Sequence, residues 1–451
     1  MAGNLPEPDA PGARLRRLPA IGALLADPRL AGLPPALVAD VARDVVGRAR
    51  DAVRAGADTP DDVVADVLRE VNGLLDGGLV PVHNATGVVL HTNLGRAPWS
   101  EAARDAANRA MGYADLELDL EHGRRGGRGA RVAGLLRHLV GAEDALVVNN
   151  GAAGVLLAVT AFARGRDVLV SRGELVEIGG SFRIPDVVAA CGARLVEVGT
   201  TNRTHERDYL QSSATDPALM LSVHPSNFRV QGFVTTLDRA ARVKVAREVG
   251  VPVVEDQGSG DLDGRFGEPS VRDAVAAGVD VVVFSADKLL GGPQAGVLVG
   301  RAASIERLRR HPLYRALRVD KVVEAALGAT LADWARGRPT PTEARVRADA
   351  AILEARAAAL SALLAVNGVA HRVETDAGAV GGGARPDVAL AGPVIAVPVS
   401  GADAAHRRLR TGRPAVVARI RDGALILDPR TLDDDALAAV ASRVADAVGA
   451  G

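Results

Sequence analysis

The chain has 451 residues, 48% of them hydrophobic, and a formal net charge of −1. That length suits one large domain with appendages or two to three domains, and the balanced charge excludes a nucleic-acid binder acting through its overall field, so such a partner would need a local patch. One cysteine, Cys191, rules out an internal disulfide and a multi-cysteine zinc site and suits a reducing cytosol. With aromatic residues at 2%, serial base stacking on a single strand is also excluded. No apolar run reaches the ~18 residues of a membrane helix, and the opening segment lacks the apolar stretch of a signal peptide. No membrane partner and a cytoplasmic location are expected.

Residues 1–12, rich in Pro, Gly and Ala, are predicted to be disordered. From Ala13 to Arg54, apolar positions recur at helical spacing, with Pro34 and Pro35 where a second helix would start. Eight arginines face four aspartates over this stretch, which reads as a basic helical module. Thr59-Pro60-Asp61-Asp62 signals one more helix, running to about Leu75. The module is taken as 13–79.

Over 80–330 the pattern changes. Short β-branched runs such as ALVV, DVLVS, LMLSV, VPVVED and VDVVVFS alternate with amphipathic helical stretches. Continuous apolar strands separated by helices predict an α/β domain with a mostly parallel central sheet covered on both faces. Such sheets bind ligands outside the carboxyl ends of their strands, so the chemistry belongs just after each strand. Residues 331–451 read first as helix and then as alternating strand and helix, predicting a small C-terminal α+β domain.

Lys288 follows the strand VDVVVFS and is flanked by Leu289 and Leu290. Partial desolvation lowers a lysine's pKa, as a Schiff-base lysine requires. Taken alone, a surface lysine on a strand-to-loop turn is the commoner reading. The context reverses it. Asp256 ends another apolar strand, and one helical crossover separates the two strands. An aspartate near such a lysine can keep a pyridinium nitrogen protonated; otherwise it would be a turn or cap residue. Asn149-Asn150-Gly151-Ala152-Ala153-Gly154 joins a strand to a helix, and small residues there let backbone N–H groups approach a phosphate. Neither a dinucleotide fingerprint nor a Walker A motif occurs. Strand-end loop, aspartate and lysine in this order point to an enzyme using pyridoxal 5′-phosphate (PLP).

Longer strings carry a family resemblance: Leu18-Pro19-Ala20 with the basic helices after it, NATGVVLHTNLGRAP at 84–98, YADLELDLEHGRRGGRG at 113–129, GELVEIGGSFRIPDV at 173–187, HPSNF at 224–228, SADKLLGGPQAG at 285–296 and HPLYRALRVDK at 311–321. Over nearly its whole length the sequence resembles bacterial L-seryl-tRNA(Sec) selenium transferases, PLP enzymes of the aspartate-aminotransferase-like fold type I. The resemblance implies that Lys288 is the catalytic lysine and holds the cofactor, that Asp256 contacts the pyridine nitrogen, and that Asn150, Gly151, Ala152 and Ser285 hold the cofactor phosphate. His224 packs against the ring in this reading, or is a satisfied loop histidine. Arg96, Arg315 and Arg318 are implied for the phosphate of the selenium donor; guanidinium suits a phosphate better than ammonium does. The loop reads NNGAAG and the aspartate segment EDQGSG, two local departures from the family's pattern.

The implied reaction turns seryl-tRNA(Sec) into selenocysteinyl-tRNA(Sec) with selenophosphate, by β-elimination to an aminoacrylyl-tRNA and selenium addition. A tRNA exceeds the crevice, so the basic module is the expected grip, or an oligomerisation arm. The resemblance also implies a homo-oligomer, a decamer built from dimers. The alternatives are a related PLP lyase acting on a small amino acid or amino-sugar acid, and a non-enzymatic tRNA-binding protein. The loop at 123–129 reads as ordered near the site or as flexible and solvated, Glu177 and Arg183 as orienting residues, Cys191 as a core thiol, and Asp433–Asp435 as a helix cap rather than a metal site. No metal site is expected.

Overall fold

The computed structural model describes residues 11–76, 78–178, 182–212, 214–226, 228 and 230–449. The expected disorder of the N-terminus falls largely on residues 1–10, outside that set, while Pro11 and Gly12 open the first helix. The chain divides into two compact units, Met1–Pro81 and Val82–Gly451.

The first unit is helical, with elements at Pro11–Arg16, Ile21–Leu25, Pro35–Arg54 and Val63–Leu75. Pro35 occupies the first turn, where its missing N–H leaves no bond unmade. Asp62 caps the last helix by accepting the Ala65 N–H at 3.0 Å. Val38, Val41, Val45 and Val46 pack with Val64, Val67 and Val71 into one apolar cluster at helical spacing. Several surface arginines are ion-paired, Arg29 with Asp27 and Asp62 and Arg48 with Glu70. Over residues 13–79 there are nine arginines and ten acidic residues, so positive charge is concentrated in 13–54 rather than in excess across the module.

The second unit is built on a seven-stranded sheet. Its strands are β1 (Asp144–Val148), β2 (Asp167–Ser171), β3 (Arg194–Val198), β4 (Pro217–Val223), β5 (Val253–Gly258), β6 (Val281–Ser285) and β7 (Gly296–Gly300). The spatial order is β1-β7-β6-β5-β4-β2-β3, with only β7 antiparallel to its neighbours. The expected mostly parallel sheet is therefore present. Both faces are buried: along β6, Val281 and Val283 enter one apolar cluster while Val282 and Phe284 enter the other. This is why these strands read as unbroken apolar runs instead of alternating ones. Cys191 is buried in the cluster that holds Val281 and Val283, as expected of a core thiol.

A second sheet of five strands is ordered Arg419–Arg421, Ala424–Leu427, Ala384–Pro398, Arg372–Gly381, Val88–Leu90. The last strand comes from far upstream in the chain. It turns in through Gly87, at φ 74°, where a Cβ would stand 2.0 Å from an Asp428 carboxylate oxygen. Of the long hairpin 372–398, the sequence marks only PVIAVPVS, at 393–400, as a strand, while the arm RVETDAGAVG has no clear alternation. Asp433 and Asp434 pair with Arg345 and Arg356 at 2.6 Å each, and the Asp433 side chain caps nothing.

At the carboxyl ends of β2 and β4, Glu174 receives both guanidinium nitrogens of Arg242, at 2.7 and 3.0 Å, together with the Val223 N–H at 3.2 Å. Both partners are buried. Removing one member of such a pair strands the other charge away from water, which costs about 3–5 kcal/mol. Arg242→Ala is accordingly expected to lower the urea unfolding midpoint by that equivalent at unchanged slope. A midpoint equal to wild type would show that Glu174 is solvated in solution.

Candidate active site

Lys288 lies three residues past β6, in a loop fixed at both ends. Ala286 N–H donates to the Ala295 carbonyl at 2.8 Å, Leu289 N–H to Ser259 at 3.0 Å, and Gly291 N–H to Lys288 at 2.9 Å. Leu289 and Leu290 are inaccessible to water and draw the loop inward, leaving Lys288 only 8% exposed. Asp256 ends the adjacent strand β5 and is 9% exposed. The two groups flank Gly258: a Cβ there would lie 3.8 Å from Asp256 Oδ1 and 4.0 Å from Lys288 Nζ. Among the described residues, neither the carboxylate nor the ammonium makes a hydrogen bond or ion pair.

Burial pushes the Asp256 carboxyl up to about 6, opposed by the nearby Lys288 and His224. Burial also holds the Lys288 ammonium below the ordinary lysine value, opposed by Asp256 and Asp287. The shift is toward the neutral amine, the form that condenses with a carbonyl.

The loop after β1 reaches the same place. Asn150 caps the helix Gly151–Ala163 by accepting the Ala153 N–H at 2.8 Å. A Cβ on Gly151 would stand 2.7 Å from Ser285 Oγ, and one on Gly296 would stand 2.0 Å from the Asn150 carbonyl oxygen. Glycine at both positions lets the helix N-terminus close on the end of β6. The Gly151 and Ala152 N–H groups make no hydrogen bond among the described residues, so this end of the helix offers free donors beside a hydroxyl. Fit to PLP is therefore good on three counts: a buried acceptor without a donor, a buried amine without a partner, and a donor-rich phosphate cradle.

His224 follows β4. Its backbone N–H donates to the Asp256 carbonyl at 2.9 Å, and its Nε2 lies 2.7 Å from Glu268. The arginines are in three different states. Arg96, at φ 63°, donates to Asp287 at 2.6 Å, with its Nε buried and unpartnered. Arg318 lies 3.6 Å from Glu117, on which Arg125 and Arg128 also converge. Arg315 is exposed and makes no ion pair among the described residues. The 123–129 loop is ordered, with Arg128 donating to the Val319 carbonyl and Gly129 N–H to Glu324 at 3.0 Å. Glu177 and Arg183 form an exposed pair at 2.7 Å.

Sequence reasoning missed Asp287, Glu117 and Glu268. Asp287 sits beside the lysine and Glu117 lies within the string 113–129, so both could have been flagged by position; Glu268 lies in a polar loop without a motif. Beside His224, a cavity of about 810 Å³ opens at the ends of β2 and β4, lined by Glu174, Ser222, Arg239, Glu268 and Arg385 among others.

The sheet order with its single antiparallel strand, and a buried lysine after β6 near an aspartate among the last residues of β5, define an enzyme of the PLP-dependent fold type I class. The solved structure of D-glucosaminate-6-phosphate ammonia-lyase shares the fold, with a TM-score of 0.60 at 24% identity over 83% of this chain and 98% of that one. The family model for SelA, L-seryl-tRNA selenium transferase, matches residues 82–433. Proteins named L-seryl-tRNA(Sec) selenium transferase are similar throughout: that of Solidesulfovibrio magneticus is 46% identical over 96% of this chain and 98% of its own. The Moorella thermoacetica protein is 47% identical over 93% of each, and the Geobacter sulfurreducens protein 48% over 92% and 94%. The chain belongs to the SelA family.

Because the folded-state pKa of Asp256 lies above its unfolded value, the stability this group contributes is present below the ordinary carboxylate pKa and lost as pH rises through about 6. In cofactor-free protein, Asp256→Asn is expected to unfold at a higher temperature than wild type at pH 8, with the gap closing toward pH 4. Parallel curves across that range would contradict a buried, unpaired carboxylate.

Proposed function

We propose that the chain is a PLP-dependent enzyme that converts L-seryl-tRNA(Sec) to L-selenocysteinyl-tRNA(Sec), with selenophosphate as selenium donor. The observation that carries the reading is the pair Asp256 and Lys288, buried near the ends of adjacent strands and without a hydrogen-bond partner among the described residues, in a chain whose relatives named for this activity match it nearly end to end.

Lys288 would hold the cofactor covalently, Asp256 would face its ring nitrogen, and His224 would lie against the ring. Asn150, Gly151, Ala152 and Ser285 would hold its phosphate. When bound, the cofactor supplies an electron sink for the pair released from the seryl Cα–H bond. Lys288 would act as the general base that takes the seryl Cα proton. Asp256 would sustain positive charge on the ring nitrogen, on which the sink depends. Arg96, Arg315 and Arg318 hold the donor phosphate near the substrate's β-carbon, supplying proximity and charge complementarity. In the net change the Cβ–O and P–Se bonds break and the Cβ–Se and P–O bonds form: the seryl hydroxyl leaves as water, and a water oxygen takes the place of selenium on phosphorus, so that phosphate is released.

The arginine-bearing helices of residues 13–79 are the proposed grip for the tRNA body, since the crevice is far smaller than the substrate. Assembly as a homo-oligomer, a decamer of dimers, is part of the same reading and rests on the family. So does a cytoplasmic location; among the described residues no helix is long and apolar enough to cross a membrane.

Incubating the purified protein with seryl-tRNA(Sec) and selenophosphate is expected to yield selenocysteinyl-tRNA(Sec). Borohydride should fix the cofactor at position 288. Lys288→Ala is expected to abolish product formation, a loss of at least about 10³-fold for a missing base and covalent anchor, while tRNA binding stays within twofold. Turnover of free serine at the rate of seryl-tRNA(Sec), or intact chemistry in Lys288→Ala, would overturn the proposal.

A further inference from the structure

The His224 imidazole is held from one side by a residue with no role so far. Glu268 is buried, and one of its carboxylate oxygens lies 2.7 Å from His224 Nε2. Its other oxygen accepts the backbone N–H of Arg385 at 2.7 Å. Its own N–H donates to the buried Asp261 at 3.2 Å, and Asp261 also receives the N–H groups of Gly264 and Phe266 at 2.9 and 3.1 Å. Glu268 thus stands on a pinned loop and takes two donors, one from the histidine and one from another sheet.

Arg385 lies at the tip of the hairpin formed by strands Arg372–Gly381 and Ala384–Pro398. The tip runs through Gly381, Gly382 and Gly383 at φ 79°, 65° and 74°, and Arg385 itself adopts φ 49°. A non-glycine residue held there is strained and persists only where its surroundings over-determine it. Here the Glu268 carboxylate takes the Arg385 N–H, and the Phe266 carbonyl takes its guanidinium. His224, Glu268 and Arg385 all line the 810 Å³ cavity. The hairpin tip is therefore a wall of the space beside the cofactor site.

We propose that Glu268 is a positioning residue that fixes the His224 imidazole and ties it to the hairpin tip, so that the seating of this cavity wall and the orientation of the ring are set together. The inference rests on the reading of His224 as the residue against the cofactor. A carboxylate suits the task because both groups it meets are donors: with Nε2–H given to Glu268, the ring plane and tautomer are settled. A neutral amide could satisfy only one of the two with an acceptor. The charged groups facing His224 are Glu268 and Asp256, the latter coupled to it electrostatically.

The test uses the full-length enzyme with bound PLP and compares wild type, Glu268→Ala, His224→Ala and the double variant. Glu268→Ala is expected to lower kcat roughly tenfold, as losing an orienting partner does, with KM changing less, and to shift the pH midpoint of the cofactor's visible band. In the His224→Ala background the same change is expected to cost no more than about twofold further, because Glu268 acts through His224. In cofactor-free protein, amide hydrogen exchange of the segment containing Arg385 should accelerate in Glu268→Ala. Glu268→Gln, which keeps the shape and one acceptor, is expected to show smaller losses of the same kind and serves if the alanine variant does not fold. Wild-type kcat and band midpoint in Glu268→Ala, or losses in the double variant equal to the product of the singles, would overturn the proposal. If wild type shows no band and no borohydride adduct at Lys288, the functional reading fails instead. Unchanged exchange at Arg385 would then overturn the Glu268 tie by itself.

Discussion

A carboxylate and an amine removed from water, with no hydrogen bond on either among the described residues, are the constraint on which the catalytic unit depends. A buried polar group without a partner costs several kcal/mol in an apolar setting, and this structure tolerates two of them side by side. The cost is offset where apolar burial is densest: β5 and β6 are inaccessible through Val253, Val254 and Val281–Phe284. Parallel pairing brings the ends of both strands to the same edge, with Asp256 in register with Val283. The antiparallel β7 then returns Gly296 opposite Ser285, and its missing Cβ admits the Asn150 carbonyl. Strand direction, glycine placement and the two stranded charges form one solution. The pair stays poised for a ligand that is both a carbonyl and a ring base.

Around this centre, positive charge is arranged rather than simply accumulated. Arg96 is tied to Asp287, the residue immediately before Lys288, and Arg318 shares Glu117 with two other arginines, while Arg315 projects into solvent. These pairs are largely half-buried, with Asp287 itself buried, and they hold the guanidinium groups at hand. A phosphate that can accept several charge-assisted bonds competes well with one carboxylate. The proposed donor site is thus occupied internally by side chains that a phosphate can displace or share.

Much of this was legible in the chain because the relevant signals are local. The apolar runs of β4, β5 and β6 give a parallel sheet buried on both faces, and the position of Lys288 after such a run gives its desolvation. Gly151 and Asn150 announce a strand-to-helix loop. What stayed hidden is non-local. Nothing in VVL at 88–90 says that it will pair with Arg372–Gly381 nearly three hundred residues later. Nothing in the loop holding Glu268 says that one oxygen will meet a histidine 44 positions upstream and the other an amide 117 positions downstream. The basic character read from residues 13–54 also changes weight once the acidic residues of the following helix are included, since Arg29 and Arg48 spend their charge on Asp62 and Glu70.

The fold by itself does not select a substrate, since one architecture hosts many chemistries and the ammonia-lyase neighbour shares it at 24% identity. Selection has to come from segments that the fold does not require. Three such segments, at 84–98, 113–129 and 311–321, are distant in sequence yet bonded to the catalytic loops or to each other. Asn149 N–H donates to the Leu317 carbonyl at 2.9 Å, Ala97 N–H to the Asp287 carbonyl at 3.3 Å, and Arg128 to the Val319 carbonyl. The arginine-bearing strings are therefore built into the walls of the lysine loop and the phosphate cradle. A displacement of any one is transmitted to the backbone beside Lys288 or Asn150. That coupling gives a physical reason why the proposed donor site and the cofactor site would act together in one sequence.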